Sequence, residues 1–262
     1  MAHTALITGA SAGLGVEFAR QLAASGCDLL LVARREERLR ETAADLRAAY
    51  GVAVDTFAAD LADPGAPAAL EAHVRASARE IDYLINNAGS AGPHLIDPAQ
   101  PDWEPFARYL ELMMLSVAQL CHRFIPPMRA RGFGRVVNVA SFAGRVPSGE
   151  GANYGPAKAY VIALSEELAL MLNGTGVHVS ALCPGFVHTD FHEVGGLMDM
   201  KRGTPGLLWY EADTVVREGL AAVERGEAVM ISGRLYRWLD PLARSSWFRR
   251  LAAAVRRAPG GE

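Results

Sequence analysis

Cysteine is scarce in this 262-residue chain: Cys27, Cys121 and Cys183 each sit inside an apolar stretch, and none stands at metal-ligand spacing from another. That argues against a disulfide framework or a cysteine-built metal site, and buried thiols in a reducing compartment are the expectation. Long hydrophobic runs are missing too. No stretch of about 20 uninterrupted apolar residues occurs, so no membrane-spanning helix is expected. Positive charge is not in excess: 26 Lys and Arg against 29 Asp and Glu leave a formal charge of −3. Without clustered cations to face phosphates, nucleic acid is not an expected partner. The opening "MAHTALITGA" runs straight into a strand-like segment without a charged leader and apolar h-region, so a secretory signal is not expected and a cytoplasmic protein is. Internal repeats and low-complexity linkers are absent as well. A composition of 50% hydrophobic and 21% charged residues then suits one α/β domain with a sizeable core.

What is present is alternation. Short apolar segments at 4–8, 28–33, 52–58, 82–86, 135–140, 177–183 and 227–232 predict strands, most of them apolar on both faces. Strands buried on both sides belong to parallel sheets covered by helices. Between them, segments 14–25, 35–49, 66–80, 102–130, 153–173 and 211–225 carry helical patterns. Alternating strands and helices predict a single-domain, Rossmann-like doubly wound parallel sheet of about seven strands with helices on both faces. The long irregular stretch is 184–210, rich in Gly and Pro. A loop of that length inside a compact domain is usually functional.

The first strand-to-helix turn is "TGASAGLG", residues 8–15. Gly9, Gly13 and Gly15 allow a tight turn, close approach of backbone to a pyrophosphate, and helix N–H groups aimed at it. The bland alternative is a glycine-rich turn without a ligand; its place between strand and helix favours a dinucleotide site. In "YGPAK", residues 154–158, Tyr154 and Lys158 stand at i and i+4, on one face of the predicted helix. Taken alone, that pair fits a tyrosine at a core edge beside a solvated lysine equally well.

Five motifs together resemble the short-chain dehydrogenase/reductase family: "TGASAGLG", "NNAG" at 86–89, Ser141 in "NVAS", "YGPAK", and "PGFVHTDF" at 184–191, in that family's order and spacing across nearly the whole chain. The resemblance implies catalysis by Ser141, Tyr154 and Lys158. The phenol serves as proton donor or acceptor, the ammonium favours the phenolate and lowers its pKa, and the serine bonds the substrate oxygen. It implies cofactor contacts from Gly9, Ser11, Gly13, Leu14 and Gly15, from Asp60 and Leu61 at the adenine, from Asn87, Ala88 and Gly89 beside the adenine ribose, from Tyr154 and Lys158 at the nicotinamide, and from Pro184, Gly185, Val187 and Thr189 at its carboxamide. Asn86 is expected to brace the sheet. A substrate lid is implied over about 190–210, with an apolar pocket lined by Phe142, Val146, Phe186 and Phe191. Helices 102–130 and 153–173 match those that pair subunits in the family, implying a homodimer or homotetramer. No metal is implied.

Cofactor choice is legible at the end of the second strand. A carboxylate about 20 residues after the glycines would bond an NAD ribose; here the chain reads "ARRE", with Arg34 nineteen residues after Gly15 and Arg35 next to it. An arginine fork matches a 2′-phosphate, so NADP(H) is expected, unless Glu36 and Glu37 merely neutralise the pair. The expected activity is an NADP(H)-dependent hydride transfer on the carbonyl or secondary alcohol of an apolar small molecule. A non-catalytic NADP-binding regulator or scaffold, and a carbon–carbon double-bond reductase or epimerase of the same family, are the alternatives.

Two features depart from that pattern. The family carries an Asn in the long helix before the serine strand, completing a tetrad with Ser, Tyr and Lys; this chain reads "MMLSVAQLCHRFIPPM", which places Ser116 at that position. Ser116 would hold the proton-relay water through its hydroxyl, or bond back to the i−4 carbonyl and leave the relay incomplete. Beyond a domain spanning 1–233, residues 234–262 hold seven arginines against Asp240 and Glu262, with Trp247, Leu251 and Val255 on one helical face and Phe248 close by. Weak contact with an anionic membrane surface is one reading; packing over the cleft or a partner subunit is the other.

Overall fold

The structure, a computed structural model, describes residues 2–93, 95–96, 99–146, 153–189, 205–243 and 245. In chain order the strands are β1 Thr4–Thr8, β2 Asp28–Ala33, β3 Val54–Ala58, β4 Tyr83–Asn86, β5 Gly134–Val139, β6 Val177–Cys183, β7 Phe186–His188, β8 Trp209–Glu211 and β9 Val229–Ile231. The helices are α1 Gly13–Ala24, α2 Glu36–Tyr50, α3 Ala66–Ala76, α4 Glu104–Leu110, α5 Ser116–Arg131, α6 Tyr154–Met171, α7 Ala212–Glu224 and α8 Arg234–Ala243.

Seven strands form one parallel sheet in the order β3-β2-β1-β4-β5-β6-β9. The unbroken apolar runs of β1 and β2 explain why both faces need cover. Phe18, Leu22, Leu39 and Val216 of α1, α2 and α7 pack on one face with Ile7 and Leu29. Leu70, Leu120, Phe124 and Val161 of α3, α5 and α6 pack on the other with Leu6 and Leu84. The order reverses between β1 and β4, and in such sheets the crevice outside the carboxyl ends at the reversal is where ligands bind. The glycine turn, Asn87 to Gly89, Ser141 and Pro184 to Thr189 follow β1, β4, β5 and β6 at that end.

Three details differ from expectation. The stretch expected to be irregular contains a two-stranded parallel ribbon, β7 with β8, in the register Phe186↔Trp209 and His188↔Glu211; three residues per strand are too few for a period-2 pattern to show. The long helix of 102–130 is two helices joined by a π-turn, Glu111–Leu115, a local underwinding that leaves hydrophobic periodicity almost unchanged. Within residues 66–80, α3 stops at Ala76, and Ala78 adopts φ 52°. All three cysteines are free and buried, as expected. Among the described residues no helix is long and apolar enough to cross a membrane, and no cluster of metal-ligating side chains occurs.

Candidate active site

The glycine turn is built from missing side chains. Gly9 and Gly13 hold φ of 67° and 54°, left-handed values that cost a residue with a Cβ about 1 kcal/mol or more. A Cβ on Gly15 would lie 2.2 Å from the Gly9 carbonyl oxygen, so only glycine lets α1 begin there. Asn87 locks the turn from β4: its amide Nδ2 donates to Thr8 O at 3.0 Å and Gly9 O at 3.3 Å, while the Asn87 and Ala88 N–H groups donate to Thr8 Oγ1. Asn86 instead bonds Asn138 Oδ1 across the sheet at 2.8 Å, the brace expected of it. Thr189 closes over the turn, with its Cβ 3.3 Å from where a Gly13 Cβ would stand. This backbone cradle, which side chains would fill, fits a dinucleotide pyrophosphate.

At the end of β2, Arg34 and Arg35 are exposed, and Arg35 Nη2 donates to Ser11 Oγ at 3.3 Å, bringing a guanidinium beside the turn. Glu36 does not neutralise them through an ion pair; it bonds Arg40 one turn along α2 at 2.5 Å. Such a cationic corner fits a 2′-phosphate. Asp60, expected at the adenine, accepts from Arg108 Nη2 at 2.8 Å and from Ala62 N at 3.0 Å, so its carboxylate is held by protein donors.

The reacting groups gather at β5 and α6. Ser141 follows β5 and caps a short 3-10 turn, Phe142–Gly144, its Oγ accepting from Ala143 N at 3.1 Å. The Tyr154 phenol hydrogen-bonds Ser141. α6 can start at Tyr154 although Pro156 follows so closely, because first-turn N–H groups lack helical partners in any case. One turn on, Lys158 is buried and donates from Nζ to Val139 O at 2.7 Å.

The electrostatics correct one expectation. Burial raises the Tyr154 pKa above its ordinary value near 10, and the Ser141 bond opposes that rise. Burial also lowers Lys158 to about 8. Lys158 Nζ stands 5.8 Å from the Tyr154 ring centroid, and in the protein by itself burial sets the direction of the phenol's shift.

Ser116 takes the second of its two expected courses, its Oγ donating back to the i−4 carbonyl of Leu112 at 2.7 Å, while its backbone N–H closes the π-turn on Glu111 O. Met113 takes the place beside Lys158: a Cβ on Gly89 would lie 3.2 Å from Met113 Sδ and 3.7 Å from Lys158 Nζ, so the thioether and the ammonium flank one small volume. Met113 Sδ also accepts from Ser90 N at 3.4 Å. The π-turn shifts the helix register, which counting along the sequence did not include.

Of the expected pocket residues, Phe142 and Phe186 stand at the catalytic edge, with rings 5.0 Å from Tyr236 and 5.2 Å from Trp209. Phe191 and most of 190–210 lie outside the described residues. Sequence reasoning missed Tyr109 and Tyr236. Tyr109 is buried in a cluster with Met113 and Ala157 against which Tyr154 packs, its hydroxyl without a hydrogen-bond partner; its spacing of four from Met113 was the available signal. Tyr236 comes from a distant helix and carried none.

Known proteins resemble the chain along most of its length. The family model for short chain dehydrogenase matches residues 3–195. A granaticin polyketide synthase putative ketoacyl reductase of Streptomyces violaceoruber is 37% identical over 194 residues, 72% of this chain and 69% of that protein. The structure of a short-chain dehydrogenase from Sphingobium yanoikuyae in complex with NADPH superposes with a TM-score of 0.80 at 34% identity, covering 99% of both chains. A bulky-bulky ketone specific alcohol dehydrogenase from Comamonas testosteroni gives 0.76 at 28% identity, covering 99% of this chain and 97% of that one.

Proposed function

Because the chain belongs to the short-chain dehydrogenase/reductase family, we propose that it is an NADPH-dependent reductase of an apolar ketone or aldehyde, with Tyr154 as the proton donor. The observation that carries this reading is the Tyr154–Ser141 hydrogen bond one helical turn from buried Lys158, at the sheet edge that also holds the glycine cradle. A bound NADPH would supply the hydride that the carbonyl carbon takes up. Ser141 then bonds the carbonyl oxygen where negative charge develops, and the Tyr154 phenol gives it a proton. Lys158, which a pKa of about 8 still leaves mostly protonated at neutral pH, stabilises the phenolate left behind. Arg34 and Arg35 select the 2′-phosphate, in keeping with the NADPH of the Sphingobium structure. Phe142, Val146 and Phe186 offer apolar contacts to the substrate. A panel of ketones, aldehydes and enones, with NADPH and NADH consumption and product analysis, tests the reading: faster NADPH oxidation with alcohol products supports it, and NADPH binding without turnover across the panel rejects it.

Residues 1–233 and α8 form one domain in this reading, since α8 packs back on the catalytic edge. Exposed Leu170 and Met171 on α6 support pairing of subunits through α5 and α6, testable by sedimentation. The exposed Trp238 and Leu242 of α8, followed by arginines, support weak contact with an anionic surface; failure to float with anionic liposomes at low salt removes that idea.

A further inference from the structure

A buried ion pair joins the C-terminal helix to the turn that carries the catalytic serine. Arg145 Nε and Nη2 donate to Asp240 Oδ1 and Oδ2 at 2.7 and 2.6 Å, with 10% and 11% of the two side chains exposed. A buried pair recovers its desolvation cost only in good geometry, and a well-packed apolar pair often serves stability as well. What a bidentate pair adds is direction.

Arg145 is the last link of the serine's turn: its N–H donates to Phe142 O at 2.9 Å, and Gly144 N donates to Ser141 O at 3.0 Å. The far side of this turn lies against the backbone of α6. A Cβ on Gly144 would stand 2.7 Å from the Lys158 carbonyl carbon, and one on Gly155 would stand 3.0 Å from Ala143 O. Pressure on Arg145 is therefore transmitted to the start of the helix bearing Tyr154 and Lys158. One turn earlier in α8, the Tyr236 phenol accepts from Phe186 N at 3.2 Å and donates to Leu208 O at 3.0 Å. Its ring fills the space a side chain at Gly185 would need, 1.9 Å from that Cβ.

We propose that α8 is a positioning element of the active site: Asp240, through Arg145, sets the Ser141 turn against α6 and so aligns the Ser141–Tyr154 hydrogen bond, while Tyr236 holds Gly185 and Phe186 to the same edge. The proposal rests on the reductase reading for its kinetic consequence and on geometry for its structural one.

The deciding variant is Arg145→Met with Asp240→Leu, which removes both charges together and leaves no unpaired one. The expected result is a melting temperature near the wild-type value, kcat at least tenfold lower, KM for NADPH within twofold, and amide exchange at residues 143–145 at least tenfold faster. A folded double variant with kcat within twofold of wild type overturns the proposal. If that variant does not fold, Asp240→Asn carries the same expectation and Asp240→Glu recovers most of the activity; equal loss in both overturns it. If the wild-type protein turns over no carbonyl, the reductase reading fails. The exchange measurement then still decides, since unchanged exchange at 143–145 in the variants overturns the positioning role.

Discussion

At the β1–β2 edge the site is made of backbone: glycines turn where side chains would collide, and exposed arginines stand beside the turn. At the β5–β6 edge the corresponding space is filled by side chains, with Tyr154 on Ser141, Lys158 on a strand carbonyl, and Tyr236 wedged at Gly185. The first construction is laid out by residues within about thirty positions of each other, with only Asn87 and Thr189 reaching it from farther along the chain. The second draws on residues nearly a hundred positions apart, as the Arg145–Asp240 pair does. A cradle for a ligand common to many proteins can be local, whereas groups that must meet one reacting atom are aligned through the packed interior.

The sharpest break in this comparison is Tyr154→Phe. It leaves the cradle intact, so NADPH affinity stays within about threefold while kcat/KM falls by about 10²- to 10⁴-fold, the range for losing a positioned acid. A variant keeping more than a tenth of wild-type kcat/KM removes Tyr154 as the main proton donor. Arg34→Asp with Arg35→Ala is the converse, acting on the cradle alone. NADPH affinity is expected to drop about 10- to 100-fold, the worth of about one charge-assisted bond to phosphate, since both arginines are exposed. NADH affinity stays within a few-fold, and titration of both nucleotides checks it; equal losses mean the arginines do not read the phosphate.

Lys158 gives a smaller effect, visible without cofactor. Its folded-state pKa of about 8 lies below the ordinary 10.5, so between those values the folded chain holds fewer protons than the unfolded one. Stability from this group therefore rises with pH across that window and is lost as pH falls through about 8. Denaturant unfolding from pH 8 to 9.5 should show a slope more positive than that of Lys158→Met by up to about 1.4 kcal/mol per pH unit. Parallel slopes would mean that water reaches the ammonium. Smallest of all is Ser116→Ala. With its hydroxyl committed to Leu112 O, kcat is expected to stay within twofold at every pH, and a tenfold loss would put Ser116 back in the proton path.

The cradle was legible almost residue by residue because strand, glycine turn and helix follow one another in the chain, and glycine spacing encodes backbone geometry directly. The Tyr154–Lys158 pair was legible for a similar reason, being set by helical periodicity. Of the two courses expected of Ser116 the bond back to Leu112 O is the one it takes, and what counting missed is Met113, which stands beside the lysine where a π-turn makes a local change of register that no apolar pattern reports. The lowering of the Tyr154 pKa expected from Lys158 also failed, because burial of both groups is a property of the assembled interior and not of their spacing.

By itself, then, the order of residues determined the alternation of strands and helices, the doubly wound sheet, the glycine turn and the i, i+4 placement of the catalytic pair, since all of these follow from contacts between near neighbours and from which faces must leave water. Tertiary structure alone decided which side chain faces Lys158, how desolvation sets the two pKa values, and that α8 returns to grip the serine's turn through Asp240 and Tyr236. Those outcomes depend on distances between segments far apart in the chain, and only the closed core brings such segments together.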